Sequence, residues 1–276
     1  MGIRYFIALI LIIFAIFPAI WVISAAINPA GTLTNPQIIP DRANLNNFDT
    51  LLNSDYYPFK SWMFNSLYIA TVSTALVVMI TTLSAYAISR FRFVGRPHLV
   101  RGILIINVFP GVVSMVALYS MIQQVGVHFP LISLDSHASL IVIYVSGAMG
   151  INVLLVKGFL DSIPTELDEA ALIDGASHWL VFWRIIIPLA KPIMVTISIL
   201  TFMAIYGDFV LPRILINSTD KLTVMVGLNL FQAERFAQDW GVFTAGAILA
   251  AIPVICAYLV LQKYIISGLT TGSIKG

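Results

Sequence analysis

The chain has 276 residues, of which 59% are hydrophobic and 10% charged, with a mean hydropathy of +0.94. That excludes an ordinary soluble domain, in which charged residues make up about 25%. Fifteen Lys and Arg against thirteen Asp and Glu leave a formal net charge of +2, so there is no basic excess and no nucleic-acid partner is expected.

Six uncharged or nearly uncharged runs of about 20 residues are long enough to cross a hydrocarbon core as helices. They fall at about 4–27, 62–90, 99–125, 138–158, 191–214 and 242–266, which defines an all-α integral membrane protein with one transmembrane domain over 1–276. The first run has the edges of a signal peptide, with Arg4 before it and Ser24-Ala25-Ala26 at its end. It is longer than the h-region of about 7–15 residues, so a retained first span is expected. Residues 28–61 read as a polar loop with four prolines, closed by Trp62, whose amphipathic ring suits a membrane interface.

Between the second and third runs lie Arg90, Arg92, Arg96 and Arg101, whereas the next loop, 126–137, carries no Lys or Arg. Positive charge stays inside, so the arginine loop is expected in the cytoplasm together with both termini and residues 159–190; the 215–241 loop is then outside. Asn107, Pro110 and Gly111 in the third run mark either a cavity lining or a packing kink. Pro18, Pro192 and Pro253 also fall within or beside spans, where proline bends a helix and frees carbonyls.

The acidic residues cluster in one place, with Asp161, Glu166, Asp168, Glu169 and Asp174 within fourteen positions. Pro164 and Thr165 have the signature of a helix start, and Thr165 with Asp168 has capping-box spacing. Leu167, Ala170 and Ala171 recur on one face, and Gly175 supplies a left-handed residue to end the helix. Ser177 can cap a second helix with Trp179, Phe182, Trp183 and Ile186 on one side, until Pro188 turns the chain. A helix, a glycine corner and a second helix are therefore expected between spans four and five. Beyond them Asp208 stands near the outer end of span five, where a carboxylate is either functional or simply solvated.

Cys256 is the single cysteine, so no intrachain disulfide forms; the four histidines are scattered without metal-ligand spacing, and no metal is expected. No Gly-Lys dipeptide occurs, hence no phosphate-binding G-x-x-x-x-G-K-[ST] loop. Residues 268–276 are polar and glycine-rich, the composition of a disordered terminus.

Glu169-Ala170-Ala171, three residues, Gly175, nine residues, Ile185, one residue and Ile187-Pro188 resemble the EAA loop of permease subunits of ATP-binding-cassette importers. Ala85-Tyr86-Ala87 leading to Arg90-Phe91-Arg92-Phe93, Phe109-Pro110 with Ala117-Leu118-Tyr119, and the run from Gly268 to Gly276 are similar to the smaller permease of maltose-type importers. Tyr206-Gly207-Asp208-Phe209 looks more like the general sugar-permease pattern.

The resemblance implies a non-catalytic subunit in a prokaryotic cell membrane, importing maltose, maltodextrin, trehalose or a similar oligosaccharide by alternating access. It implies a heterodimer with a second permease, two ATP-binding subunits that hold ATP and Mg, so that this chain needs no cofactor, and an extracytoplasmic sugar-binding protein. Glu169, Ala170, Ala171, Asp174, Gly175, Ile185 and Pro188 would then form the ATPase-coupling site. Gly268, Thr270, Gly272, Ser273 and Lys275 would contact the ATPase a second time, and Gln232, Ala233, Glu234 and Arg235 would reach the binding protein. Asn107, Tyr206 and Asp208 are candidate pathway residues. The competing readings are a secondary transporter or channel without a separate ATPase, which should show ionisable residues at midplane, and an intramembrane enzyme, which should show convergent catalytic groups.

Overall fold

The computed structural model describes residues 2–29, 40, 42–54, 56–108, 114–231 and 239–271, with the backbone alone for 2, 3, 261 and 263–271. Every regular element among them is a helix. In chain order these are α1 (Gly2–Ala26), α2 (Asn46–Asn53), α3 (Phe59–Arg90), α4 (Arg96–Val108), α5 (Met115–His128) and α6 (His137–Asp161). There follow α7 (Glu166–Ile173), α8 (His178–Val181), a π-helical segment (Phe182–Ile186) and α9 (Ile187–Tyr206). The last are α10 (Val210–Leu215), a 3-10 turn (Thr219–Lys221), α11 (Val224–Asn229) and α12 (Trp240–Thr271).

Among the described residues, five stretches are long and apolar enough to cross a membrane: Arg4–Ala26, Phe59–Arg90, His137–Asp161, His178–Tyr206 and Trp240–Val260. These overlap five of the six expected spans. Over 99–125 the chain instead forms α4 and α5, of 13 and 14 residues, and 109–113 lie outside the described residues. At 1.5 Å per residue each of those helices is about 20 Å long, less than the roughly 30 Å of a hydrocarbon core. Helix α3 is uninterrupted because its 32 residues contain neither Gly nor Pro. It ends at Arg90; Gly95, with a left-handed φ of 93°, then stands just before α4, whose first turn Pro97 suits.

The chain divides into two compact units, Met1–Ser66 with Asn217–Ile255 and Leu67–Ile216 with Cys256–Gly276. In the first, Trp62 is fully buried within the protein, and its indole N–H donates to the Thr219 carbonyl at 2.6 Å. Asn65 donates to the carbonyls of Asp220 and Leu222, and Ser66 Oγ accepts from Val224 N at 2.7 Å. The start of α3 thus satisfies backbone groups of the segment leading to α11. Gly227 of α11 lies on the Trp62 ring with no room for a Cβ. Asn47 of α2 donates to the carbonyls of Ala26 and Asn28, closing the C-terminal end of α1.

The second unit is built on packing of α6 against α9 and α4. Its core gathers Ala85 and Ile88 of α3, Val153, Val156 and Leu160 of α6, and Phe182, Ile186 and Ala190 from the π segment and α9. Gly150 of α6 admits the Asn107 side chain of α4, whose Nδ2 lies 2.5 Å from where a Cβ would stand.

Candidate coupling site

Helix α7 carries Glu166, Asp168 and Glu169 in its first turn, where negative charge meets the positive end of the helix dipole. The capping box expected of Thr165 and Asp168 does not form. Thr165 makes no side-chain cap and has helical φ and ψ of −70° and −21°. Asp168 is spent elsewhere, as the one buried residue of α7. Its Oδ2 stands 2.6 Å from Arg90 Nε at the end of α3, with side-chain exposures of 11% and 8%.

Burial of Asp168 sets the orientation of the whole helix. Ala171 and Leu172, three and four residues on, pack half-buried against the core of the second unit. Glu166, Glu169, Ala170 and Ile173 point outward, and Ile173 is 85% exposed. Ala170 and Ala171 therefore face different ways: Ala170 leaves the outer face smooth beside Glu169, and Ala171 lets α7 approach its own core.

Gly175 has φ of 88°. Its N–H donates to Leu172 O at 3.1 Å and the Ala176 N–H to Ala171 O at 2.9 Å, the paired bonds of a Schellman C-cap. Asp174 is the exposed residue before this corner. Ser177 then caps α8, its Oγ accepting from Leu180 N at 3.3 Å. The sequence thus specifies the corner twice, once by the glycine and once by the serine.

Beyond α8 the chain does not turn at Pro188. The helix widens through the π segment, where Ile187 N–H reaches back to Phe182 O, and continues as α9 with a proline in its first turn. Proline lacks the N–H and its ring crowds the carbonyl four residues back, here Arg184. One wider turn relieves that clash without a break. The expected apolar side divides: Phe182 and Ile186 are buried, while Trp179 and Trp183 are 61% and 48% exposed. Ile185 is half-buried and Pro188 exposed. The end of α3 holds this second arm through aromatic contacts, with Tyr86 5.1 Å from Phe182 and Phe91 5.1 Å from His178.

A second set of polar contacts fixes the approach to α7. Ser89 donates to Asp161 Oδ1 at 2.6 Å, Lys157 pairs with Asp161, and Arg90 Nη2 donates to Ile163 O at 3.1 Å. From the sequence Arg90 is a topological signal and part of a family-like stretch; its acidic partner lies 78 positions away, and local spacing cannot disclose such a pairing.

The family described as "Binding-protein-dependent transport system inner membrane component" matches residues 78–270. The maltodextrin transport system permease protein MdxG of Bacillus subtilis is 36% identical over 272 residues, covering 99% of this chain and 95% of that protein. The galactooligosaccharides transport system permease protein GanQ of Bacillus subtilis is 33% identical, covering 99% of this chain and 94% of that protein. The chain belongs to this family. The maltose/maltodextrin permease MalG of Vibrio parahaemolyticus is 32% identical, with 95% and 91% covered. Among solved structures, a bacterial ABC transporter involved in import of the acidic polysaccharide alginate has a chain of the same fold. Its TM-score is 0.83, at 23% identity, with 96% of each chain covered. The resemblance to importer permeases read from the EAA-type loop, and to the sugar branch read from three further stretches, is thus borne out.

The remaining sites of this permease are placed as follows. Gly268 and Thr270 are within α12, which extends to Thr271, while Gly272, Ser273 and Lys275 lie outside the described residues. Gln232, Ala233, Glu234 and Arg235 lie outside them too. Asp208 lines a cavity of about 480 Å³ between α6 and α9, with Tyr144, Asn152 and Thr201. Tyr144 donates to Asp208 Oδ2 at 2.7 Å, and Asp208 Oδ1 accepts from Val210 N at 3.0 Å, which starts α10. Tyr206 is buried and stacked on Phe202, and Asn107 donates to Ile103 O on α4. Neither lines the cavity that Asp208 enters.

Proposed function

We propose that this permease is the translocation subunit of an ATP-driven importer moving a sugar of the maltose, maltodextrin or similar oligosaccharide class across the cell membrane. The observation that carries the reading is the α7–Gly175–α8 unit, with Glu169, Ala170 and the 85%-exposed Ile173 on its outward face. An exposed carboxylate beside an exposed isoleucine and an alanine is a surface that a cleft with a basic residue and an apolar floor can enclose. Hydrolysis then belongs to a separate chain that binds ATP and Mg, docked on this face.

The chain crosses six times in this reading, with α4 and α5 in series as the third crossing, and both termini are cytoplasmic. Support for the sidedness comes from Arg90 and Asp168: the arginine-rich loop and the acidic loop touch, so they share one side of the membrane. A second permease completes the pathway, and an extracytoplasmic binding protein delivers the sugar. The test is co-purification followed by transport. The tagged permease should bring an ATPase and a second permease from the membrane, and the reconstituted complex should take up labelled maltodextrins only with ATP. ATP-independent uptake by the chain alone would refute the assignment.

A further inference from the structure

We infer that Arg90 and Asp168 form the internal joint through which movement of the coupling helix reaches the membrane-spanning α3, so that Arg90 is a positioning residue for energy coupling. The inference rests on the coupling reading above and adds a specific path to it. Helix α7 has one buried residue, and that residue is a carboxylate paired with a guanidinium at the end of a 32-residue helix. Burying such a pair gains little stability over apolar residues of the same volume, because both ions lose their hydration. Removing one partner is costly, since the other is left buried and charged.

The details of the contact fit a joint better than a general stabiliser. Nε and Oδ2 approach to 2.6 Å but without hydrogen-bond alignment, and Asp168 Oδ1 has no partner among the described residues. Asp168 is thus held by charge at one point, while Arg90 is fixed independently through Nη2 on Ile163 O and Nη1 near Ser89 Oγ. A pull on α7 is resisted at Arg90, and Arg90 is the last residue of α3. Around the pair, Ala171 and Leu172 supply apolar contact without direction. The ion pair supplies the direction.

The test uses the complete reconstituted complex and measures sugar taken up per ATP hydrolysed. ATP-dependent uptake by the unaltered complex checks the coupling reading first; its absence overturns that reading and the joint with it. With that established, Arg90→Gln and Asp168→Asn are each expected to lower uptake per ATP about tenfold while ATP hydrolysis continues. Arg90→Lys, which keeps the charge, should recover part of the loss. The double Arg90→Gln/Asp168→Asn variant leaves no unpaired buried charge. It should therefore assemble even where a single variant does not, and its coupling defect should be no greater than that of either single change. Unchanged uptake per ATP in the double variant, or a loss confined to the amount of assembled complex, overturns the joint.

Discussion

At the scale of single residues, the outward face of α7 is decided by what its inward face needs. Asp168 must meet Arg90, and helical spacing then sends Glu169 and Ile173 outward together, four positions apart. Ile173→Ser should leave the isolated permease as stable as before, because the side chain is 85% exposed. It should weaken ATPase docking by about 2 kcal/mol, the value of burying one isoleucine; Glu169→Ala should cost about 2–5 kcal/mol through the cation it strands in the partner. Titrating detergent-solubilised permease with the ATPase measures both, and equal affinity for wild type and Ile173→Ser would move the docking face elsewhere. Gly175 makes a different demand. Nothing lies within 4 Å of a Cβ built there, so the cost of Gly175→Val comes from its φ of 88° alone, about 1–3 kcal/mol. That strain should reduce uptake at constant ATPase activity more than it reduces expression, and normal coupling would show the corner to be unimportant.

At the scale of elements, the corner was legible because its chemistry is local: a glycine for the left-handed residue, a serine for the next cap, and small residues where backbones approach. The continuity beyond it was not legible. Proline ordinarily marks a boundary, yet here α8, the π segment and α9 form one stretch, His178–Tyr206, because packing of Phe182 and Ile186 into the core outweighs the missing donor at Pro188. This joins the arm beyond the Gly175 corner to a long apolar helix without a flexible link. Pro188→Ala restores the N–H that Arg184 O lacks and removes the ring that crowds it. The wider turn should then close to α geometry, rotating α8 by about 100° relative to α9, one residue's worth of helix. Uptake should fall while the complex still assembles, and amide exchange should slow across 182–188. Unchanged exchange there would mean that the core, not the proline, holds the π turn.

At the scale of the whole molecule, composition and run length were enough for an all-helical membrane protein, because a bilayer leaves the backbone few alternatives. Five of the six expected runs coincide with long apolar helices. What escaped was pairing across the chain: Trp62 meets Thr219, and the acidic loop that broke the positive-inside pattern already has one basic partner in Arg90. The C-terminus is where composition and family resemblance pull apart. Composition favours a frayed end after the last span, whereas α12 carries helical backbone to Thr271. A chain cut at Ser267 would remove the final helical turn as well as residues 272–276, and its defect could come from either. Ending the chain at Thr271 separates them. If the last five residues enter the ATPase, their two glycines permit close backbone approach, and Ser273 and Lys275 offer a hydroxyl and a charge. The shortened chain should then insert and bind the ATPase through α7 but transport poorly, and Ser273→Cys in the full chain should crosslink to the ATPase. Normal uptake without a crosslink would remove the tail contact and leave α7 as the docking element.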